Sequence, residues 1–264
     1  ADFFMPVGSG FTSGTTSPRN MLSVEIDEYG RYYIGGNFFE YNGVDLSNTS
    51  RGFVRLNPDG TLDTTFSAGP GFLNGSTFIY PYAAAIKIEK GTGKIYAGGY
   101  FNTYSGSNVG FGIIRLNSNG SIDTSFNPGS GFTGQYQSNS PVTVTGIDVD
   151  SNGKIYVVGN FTTYSGSSVG PDIVRLNPDG TIDPGFDNNV GNLLPGYFGT
   201  TLHRVKVEPG TDKIYVSGYV TAYKGVSGFS GLVKVNSDGS VDTTFSASPQ
   251  LETQFCLTKI LMFI

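Results

Sequence analysis

Residues 175–183 read Arg-Leu-Asn-Pro-Asp-Gly-Thr-Ile-Asp, and the chain repeats itself around that reading. RLNPDGTLD begins at Arg55, RLNSNGSID at Arg115 and KVNSDGSVD at Lys234. The four starts are 60, 60 and 59 residues apart. Recurrence at a fixed period of this size is the signature of a repeat architecture. An Asn, two carboxylates and a cation within nine residues also suit a calcium loop, so the block has two readings. Calcium takes about six to eight oxygens, and the block offers only a few side-chain ligands. Its Pro presets φ at the first corner of a turn, and its Gly takes positive φ near the end. Asn57 can accept a backbone N–H in such a turn. The block is read as a hairpin turn. Asp63, Asp123, Asp183 and Asp242 can then approach Arg55, Arg115, Arg175 and Lys234 across the hairpin and tie its strands together.

Working outward, each unit starts with an alternating segment: Leu22 to Ile26, Ile86 to Ile88, Ile147 to Val149 and Val205 to Val207. Alternation of apolar and polar residues predicts a half-buried strand. A polar turn follows, then a second strand around Tyr33, Tyr96, Tyr156 and Tyr215. Next comes a Tyr-x-Gly loop at Tyr41, Tyr104, Tyr164 and Tyr223. A third strand leads into the nonapeptide, and a short fourth strand ends at Phe66, Phe126, Phe186 and Phe245. Each unit is thus predicted to be a four-stranded antiparallel meander, with strands a, b, c and d. Repeated four-stranded sheets with tight connections predict a β-propeller.

The blades are expected over residues 21–66, 84–126, 144–186 and 203–245, in a single repeat domain spanning 1–264. Residues 1–5 resemble a leading d strand, and 258–264 fall where a trailing a strand belongs. Either the chain is part of a longer ring, or the ring closes with a degenerate blade.

Composition narrows the function classes. Gly supplies 39 of 264 residues, about twice the ordinary share of roughly 7%, which means many turns. Net charge is −5, and no Lys/Arg cluster gives a nucleic-acid footprint. No apolar run reaches the roughly 20 residues a spanning helix needs. One His and one Cys leave zinc and thiol chemistry little to work with. No cofactor is expected.

The period of 60, the Tyr-[Ile/Ala/Val]-x-Gly strand and the RLNPDGTxDxxF block resemble the delta-60 repeat family, from Asp2 to Leu251. That resemblance implies a β-propeller of unknown function. It also implies a setting in phage virions or on bacterial surfaces, hence a virion or extracellular location.

By strand parity, a–b and c–d turns share one end of a blade, and b–c and d–a loops share the other. The d–a loops vary and are aromatic. Phe78, Tyr80, Tyr82, Tyr136, Tyr197 and Phe198 are the candidate binding residues, because Tyr gives rigid amphipathic contact area. The recurrent aromatics at Tyr41, Phe72, Tyr104, Phe132, Tyr164 and Tyr223 are expected to pack between blades. Asp148, Asp150 and Asn152 form the beginning of a D-x-D-x-N-G pattern. They are weak calcium candidates, because Gly159 stands where a bidentate Glu is required. His203 is expected to be structural. The expected function is a non-enzymatic structural or adhesive propeller that binds a protein of a virion or surface assembly, or a surface glycan. The alternative is a secreted carbohydrate-binding or carbohydrate-active propeller.

Overall fold

The computed structural model describes residues 9–12, 20–74, 81–134, 142–170, 172–186 and 202–245. The predicted strands at 1–5 and 258–264 lie outside them. Every regular element among the described residues is a β-strand. The chain divides into two compact units, residues 1–131 and 132–264. Each unit holds two repeats.

Each repeat forms a three-stranded antiparallel sheet in the order a–b–c. The strands are Met21–Ile26, Tyr32–Gly36 and Phe53–Leu56 in the first repeat. They are Tyr82–Ile88, Ile95–Tyr100 and Ile113–Leu116 in the second. The third has Thr143–Val149, Ile155–Asn160 and Ile173–Leu176, and the fourth Leu202–Val207, Ile214–Gly218 and Leu232–Val235. Strands b and c are buried almost throughout, whereas strand a is partly exposed. Strand a carries a register shift at the same place in every blade, between Met21/Ser23, Ala83/Ala85, Val144/Gly146 and Leu202/Arg204. A bulge there bends the strand and raises its twist.

The predicted fourth strand is reduced to a single bridge in each blade: Leu56 with Leu62, Leu116 with Ile122, Leu176 with Ile182 and Val235 with Val241. The cause is local. Asp63 accepts the N–H of Thr65 at 2.9 Å, a side-chain-capped turn that ends the ladder. The chain then bends, with Phe66 N–H on the Asp63 carbonyl at 3.2 Å. Phe66 reaches the core from this bend and meets Phe53 edge-on at 5.3 Å.

The Tyr-x-Gly loops contain hairpins that their brevity hid. Their two central residues both have positive φ: 49° and 81° at Asn42-Gly43, 50° and 80° at Ser105-Gly106, 48° and 79° at Ser165-Gly166, and 48° and 78° at Lys224-Gly225. That is a type I′ turn, whose twist matches that of the strands it joins. A third strand, from the segment leading into the blade, joins three of these hairpins. Phe11 pairs with Tyr41, Phe72 with Tyr104 and Phe132 with Tyr164. Gly71 lets this strand also lie against the preceding repeat, since a Cβ there would lie 2.3 Å from the Arg51 carbonyl oxygen.

The recurrent tyrosines are accordingly buried. Their hydroxyls donate to the carbonyl of the Gly in the c–d turn: Tyr41 to Gly60 at 2.7 Å, Tyr104 to Gly120 at 2.9 Å and Tyr164 to Gly180 at 2.7 Å. The b–c segment therefore folds back along its blade and braces the nonapeptide turn.

Within the first unit, Gly35 of strand b faces Ile86 of the next blade; a Cβ on Gly35 would lie 3.0 Å from Ile86 Cδ1. Ile86 is 4% exposed, whereas Val24, its counterpart in the first blade, is 60% exposed.

Candidate functional site

The nonapeptide turn is scaffold. Asn57 and Thr61 close a three-residue loop, with Asn57 N–H on the Thr61 carbonyl at 2.8 Å and Gly60 at φ 81°. Asn57 does not accept the expected backbone N–H on its side chain. Its Nδ2 donates to Thr61 Oγ1, and Asp59 takes the Thr61 N–H, both at 2.9 Å. Serine and threonine at 61, 121, 181 and 240 serve the same purpose in each blade.

Behind the turn is a buried clasp. Arg55 Nε donates to Asp63 at 2.7 Å, Nη2 to Thr65 Oγ1 at 3.0 Å and Nη1 to Tyr33 Oη at 3.3 Å. Nη1 also reaches the Ser118 carbonyl in the next blade at 2.6 Å, so the clasp joins neighbouring blades as well as neighbouring strands. Arg115 binds Asp123 and Tyr96 in the same way. Arg175 binds Asp183 and Tyr156 and donates to the Ser237 carbonyl of the following blade. Each guanidinium also lies over a Phe ring, at 4.9 to 5.2 Å. Burial raises the Asp63, Asp123 and Asp183 carboxyls, but hydrogen bonds and the paired cations outweigh it and hold all three below the ordinary value.

The fourth blade departs from this pattern. Lys234 does not meet Asp242. It pairs with Glu208 at 2.7 Å, and Asp242 pairs with Lys213 at 2.9 Å. A lysine is one compact ammonium rather than a planar fork, and Glu208 in the a–b turn is long enough to reach it. Tyr215 Oη donates to the same Glu208 oxygen at 2.7 Å. The Lys234 and Thr211 bonds bring Glu208 down to about 2.

The calcium candidates are engaged elsewhere. Asp148 accepts the N–H of Val207 from the next blade at 2.8 Å and pairs with Lys206 at 3.4 Å. Asp150 caps its own turn through the N–H groups of Asn152 and Lys154, each at 2.9 Å. Burial raises its carboxyl, with the Asp212 charge adding to the effect. Asn152 donates to Asp212 at 2.9 Å. Among the described residues, no group of three or more His, Cys, Asp or Glu could hold a metal ion.

Of the six candidate binding residues, Phe78, Tyr80, Tyr136, Tyr197 and Phe198 lie outside the described residues. Tyr82 lies at the b–c and d–a end of its blade, where its ring is 6.1 Å from Tyr100. Phe111 meets Tyr100 edge-on at 5.6 Å. In the fourth blade Tyr219 takes the position of Tyr100. It is 67% exposed and lies 5.1 Å from His203, edge to face. His203, half-buried, thus belongs to an aromatic pair at the loop end. Tyr100, Phe111, Tyr219 and His203 were not among the candidates. The signal was present in the repeat: Asn37 and Asn160 stand at this position in the other two blades. An aromatic that only some blades carry is not required by the fold.

Comparisons with known proteins agree with the repeat. The family described as "Domain of unknown function (DUF5122) beta-propeller" matches residues 30–66, 91–126, 151–186 and 211–245, together more than half of the chain. No curated protein matches. Among solved structures, the chain resembles PorZ, a bacterial surface component of the type-IX secretion system of Porphyromonas gingivalis. Identity is 13% and the TM-score 0.46, over 94% of this chain and 30% of that one. It also resembles the extracellular domain of BT4673 from B. thetaiotaomicron, with 9% identity and a TM-score of 0.44, over 81% of this chain and 21% of that one. A protein of unknown function from Bacteroides caccae is similar at 10% identity and a TM-score of 0.33, over 86% and 81% of the two chains. The chain thus spans under a third of the length of the first two structures. With four matched repeats, and with their blades, turns and clasps accounted for residue by residue, the chain belongs to the DUF5122 β-propeller family.

Proposed function

We propose that this chain is a non-enzymatic binding module of a virion or bacterial surface assembly. Its loop end engages a partner protein or a surface glycan. One observation carries the reading. The recurrent Tyr41, Tyr104, Tyr164 and Tyr223 are buried in the scaffold, whereas half-buried Tyr82 in the first unit and exposed Tyr219 in the second do not recur in every blade, and each lies where its own blade's b–c and d–a loops begin. Exposed Tyr on a rigid support offers contact area at low entropic cost. The recurrent charged groups are spent on holding strands and blades together.

The test is to replace Tyr82 and Tyr219 with Ala, alone and with Tyr80, Tyr136 and Tyr197. Binding to isolated surface components of the source particle or cell is then measured, with circular dichroism to confirm folding. The reading requires folded variants that bind at least about tenfold more weakly. Unchanged binding by the five-residue variant refutes it.

A further inference from the structure

At the opposite end of the first unit, a groove of about 560 Å³ opens between the a–b turns of its two blades. That volume lies in the range of ligand sites, about 300–1,000 Å³. We infer that this groove is a second binding site, for a neutral oligosaccharide.

The same repeat in the second unit shows why the groove is open. There, Asp212 bridges the two a–b turns. It accepts from Ser151 Oγ at 3.0 Å and from Asn152 Nδ2 at 2.9 Å. In the first unit, Gly93 stands in the place of Asp212, with φ 66° against 52°. Glu28 and Tyr29 stand in the places of Ser151 and Asn152. Three residues therefore distinguish a zipped pair of turns from an open one. The positive φ of Gly93 strains most side chains, but Asp is among the few that tolerate it, as Asp212 does at 52°. A Cβ on Gly93 would meet nothing closer than Ser118 Cβ at 3.5 Å, an ordinary contact.

The lining selects the ligand. Tyr29 is 69% exposed. Its ring is held by the Arg31 guanidinium at 5.0 Å from its centroid, and Asp27 fixes that guanidinium at 2.7 Å. Tyr29 is thus a preorganised platform for the C–H face of a sugar ring. The lining mixes four carboxylates, Glu25, Asp27, Glu28 and Glu89, with three cations, Arg31, Lys87 and Lys90, and so is close to neutral. The mixture attracts neither strong anions nor strong cations. It does present acceptors and donors together, which a ligand made of hydroxyls needs, since each hydroxyl both donates and accepts. A peptide, which also carries donors and acceptors, is the competing outcome of the test.

The experiment presents the full chain to an array of neutral and charged oligosaccharides together with peptides. Hits are then titrated by calorimetry. The comparison protein carries Glu28→Ser, Tyr29→Asn and Gly93→Asp, which transplant the zipped arrangement of the second unit and so preserve the fold. Tyr29→Ala is predicted to weaken a neutral glycan by about three- to tenfold, and the triple variant to abolish its binding. Tyr82→Ala leaves the groove's binding intact, which separates this site from the loop end. The inference is overturned by an absence of neutral glycan hits, by hits confined to charged glycans or peptides, or by binding that survives the triple variant.

Discussion

Replacing Arg115 and Arg175 by Lys tests the account of the clasp most sharply, because the fourth blade already carries that change. Lys234 is satisfied there by Glu208 at 2.7 Å, while Lys213 holds Asp242 at 2.9 Å. The second blade has the same supporting parts. Glu89 stands in the register of Glu208, and Lys94 already sits 2.9 Å from Asp123. Thr92 bonds Glu89 as Thr211 bonds Glu208. Arg115→Lys can therefore adopt the pairing of the fourth blade.

The third blade has Asp150 in that register. It is one methylene shorter, and its Oδ1 is already committed to two backbone N–H groups. Arg175→Lys loses the bonds to Tyr156 and to the Ser237 carbonyl without gaining a Glu. A hydrogen bond to a charged group is worth about 1.5–3 kcal/mol. We expect a cost of about 1 kcal/mol for Arg115→Lys and about 3 kcal/mol for Arg175→Lys. The difference of about 2 kcal/mol is roughly thirtyfold in the unfolding equilibrium. Urea denaturation followed by circular dichroism and tyrosine fluorescence reads it, with the m-value checked for constancy. Adding Glu89→Gln to Arg115→Lys should raise its cost to that of Arg175→Lys. Equal costs for the two single variants, or no effect of Glu89→Gln in the Lys background, would refute the reasoning.

Three further outcomes are expected. Ile86→Ala should cost about 2–4 kcal/mol by denaturant titration, while Val24→Ala, at the same strand position but exposed, stays within about 0.5 kcal/mol. Ser165→Asn places a residue that tolerates positive φ in the type I′ turn and should raise the melting temperature by about 1–3 °C; a decrease counts against the turn assignment. Glu208 and Asp242 are both held near 2 in the folded chain. Because those carboxyls are lowered by folding, their contribution is complete above their unfolded values and is lost as acid is added. Stability should fall between about pH 4.5 and pH 2, and Glu208→Gln should flatten that fall in a pH series of denaturation midpoints.

Much of the blade was legible because its physics is local. Alternation marked strands a and b, Pro and Gly marked the c–d turn, and an Arg eight residues before an Asp marked the clasp. What escaped depended on approach between segments. Two-residue strands are too short to show a period, so the Tyr41, Tyr104 and Tyr164 hairpins read as loops, although positive-φ pairs such as Asn42-Gly43 were visible in principle. Lys234 was assigned to Asp242 because the c–d hairpin could be seen and the long reach of Glu208 from another turn could not. The groove at Tyr29 shows only when the a–b turns of neighbouring blades are superimposed, which turns Gly93 from a plain turn residue into a missing Asp.

The pairing of Phe72 with Tyr104 has a consequence for how such chains are cut and copied. The second blade's hairpin is completed by a strand that precedes Tyr82 by ten residues in the sequence. The repeating unit therefore begins near Gly69, upstream of the sheet it serves, and closes at Phe126. A duplication, deletion or graft made at the sheet's own boundary would strip each transplanted piece of its stitch. One made just before the Gly-x-Gly-Phe segment would move the whole unit in phase.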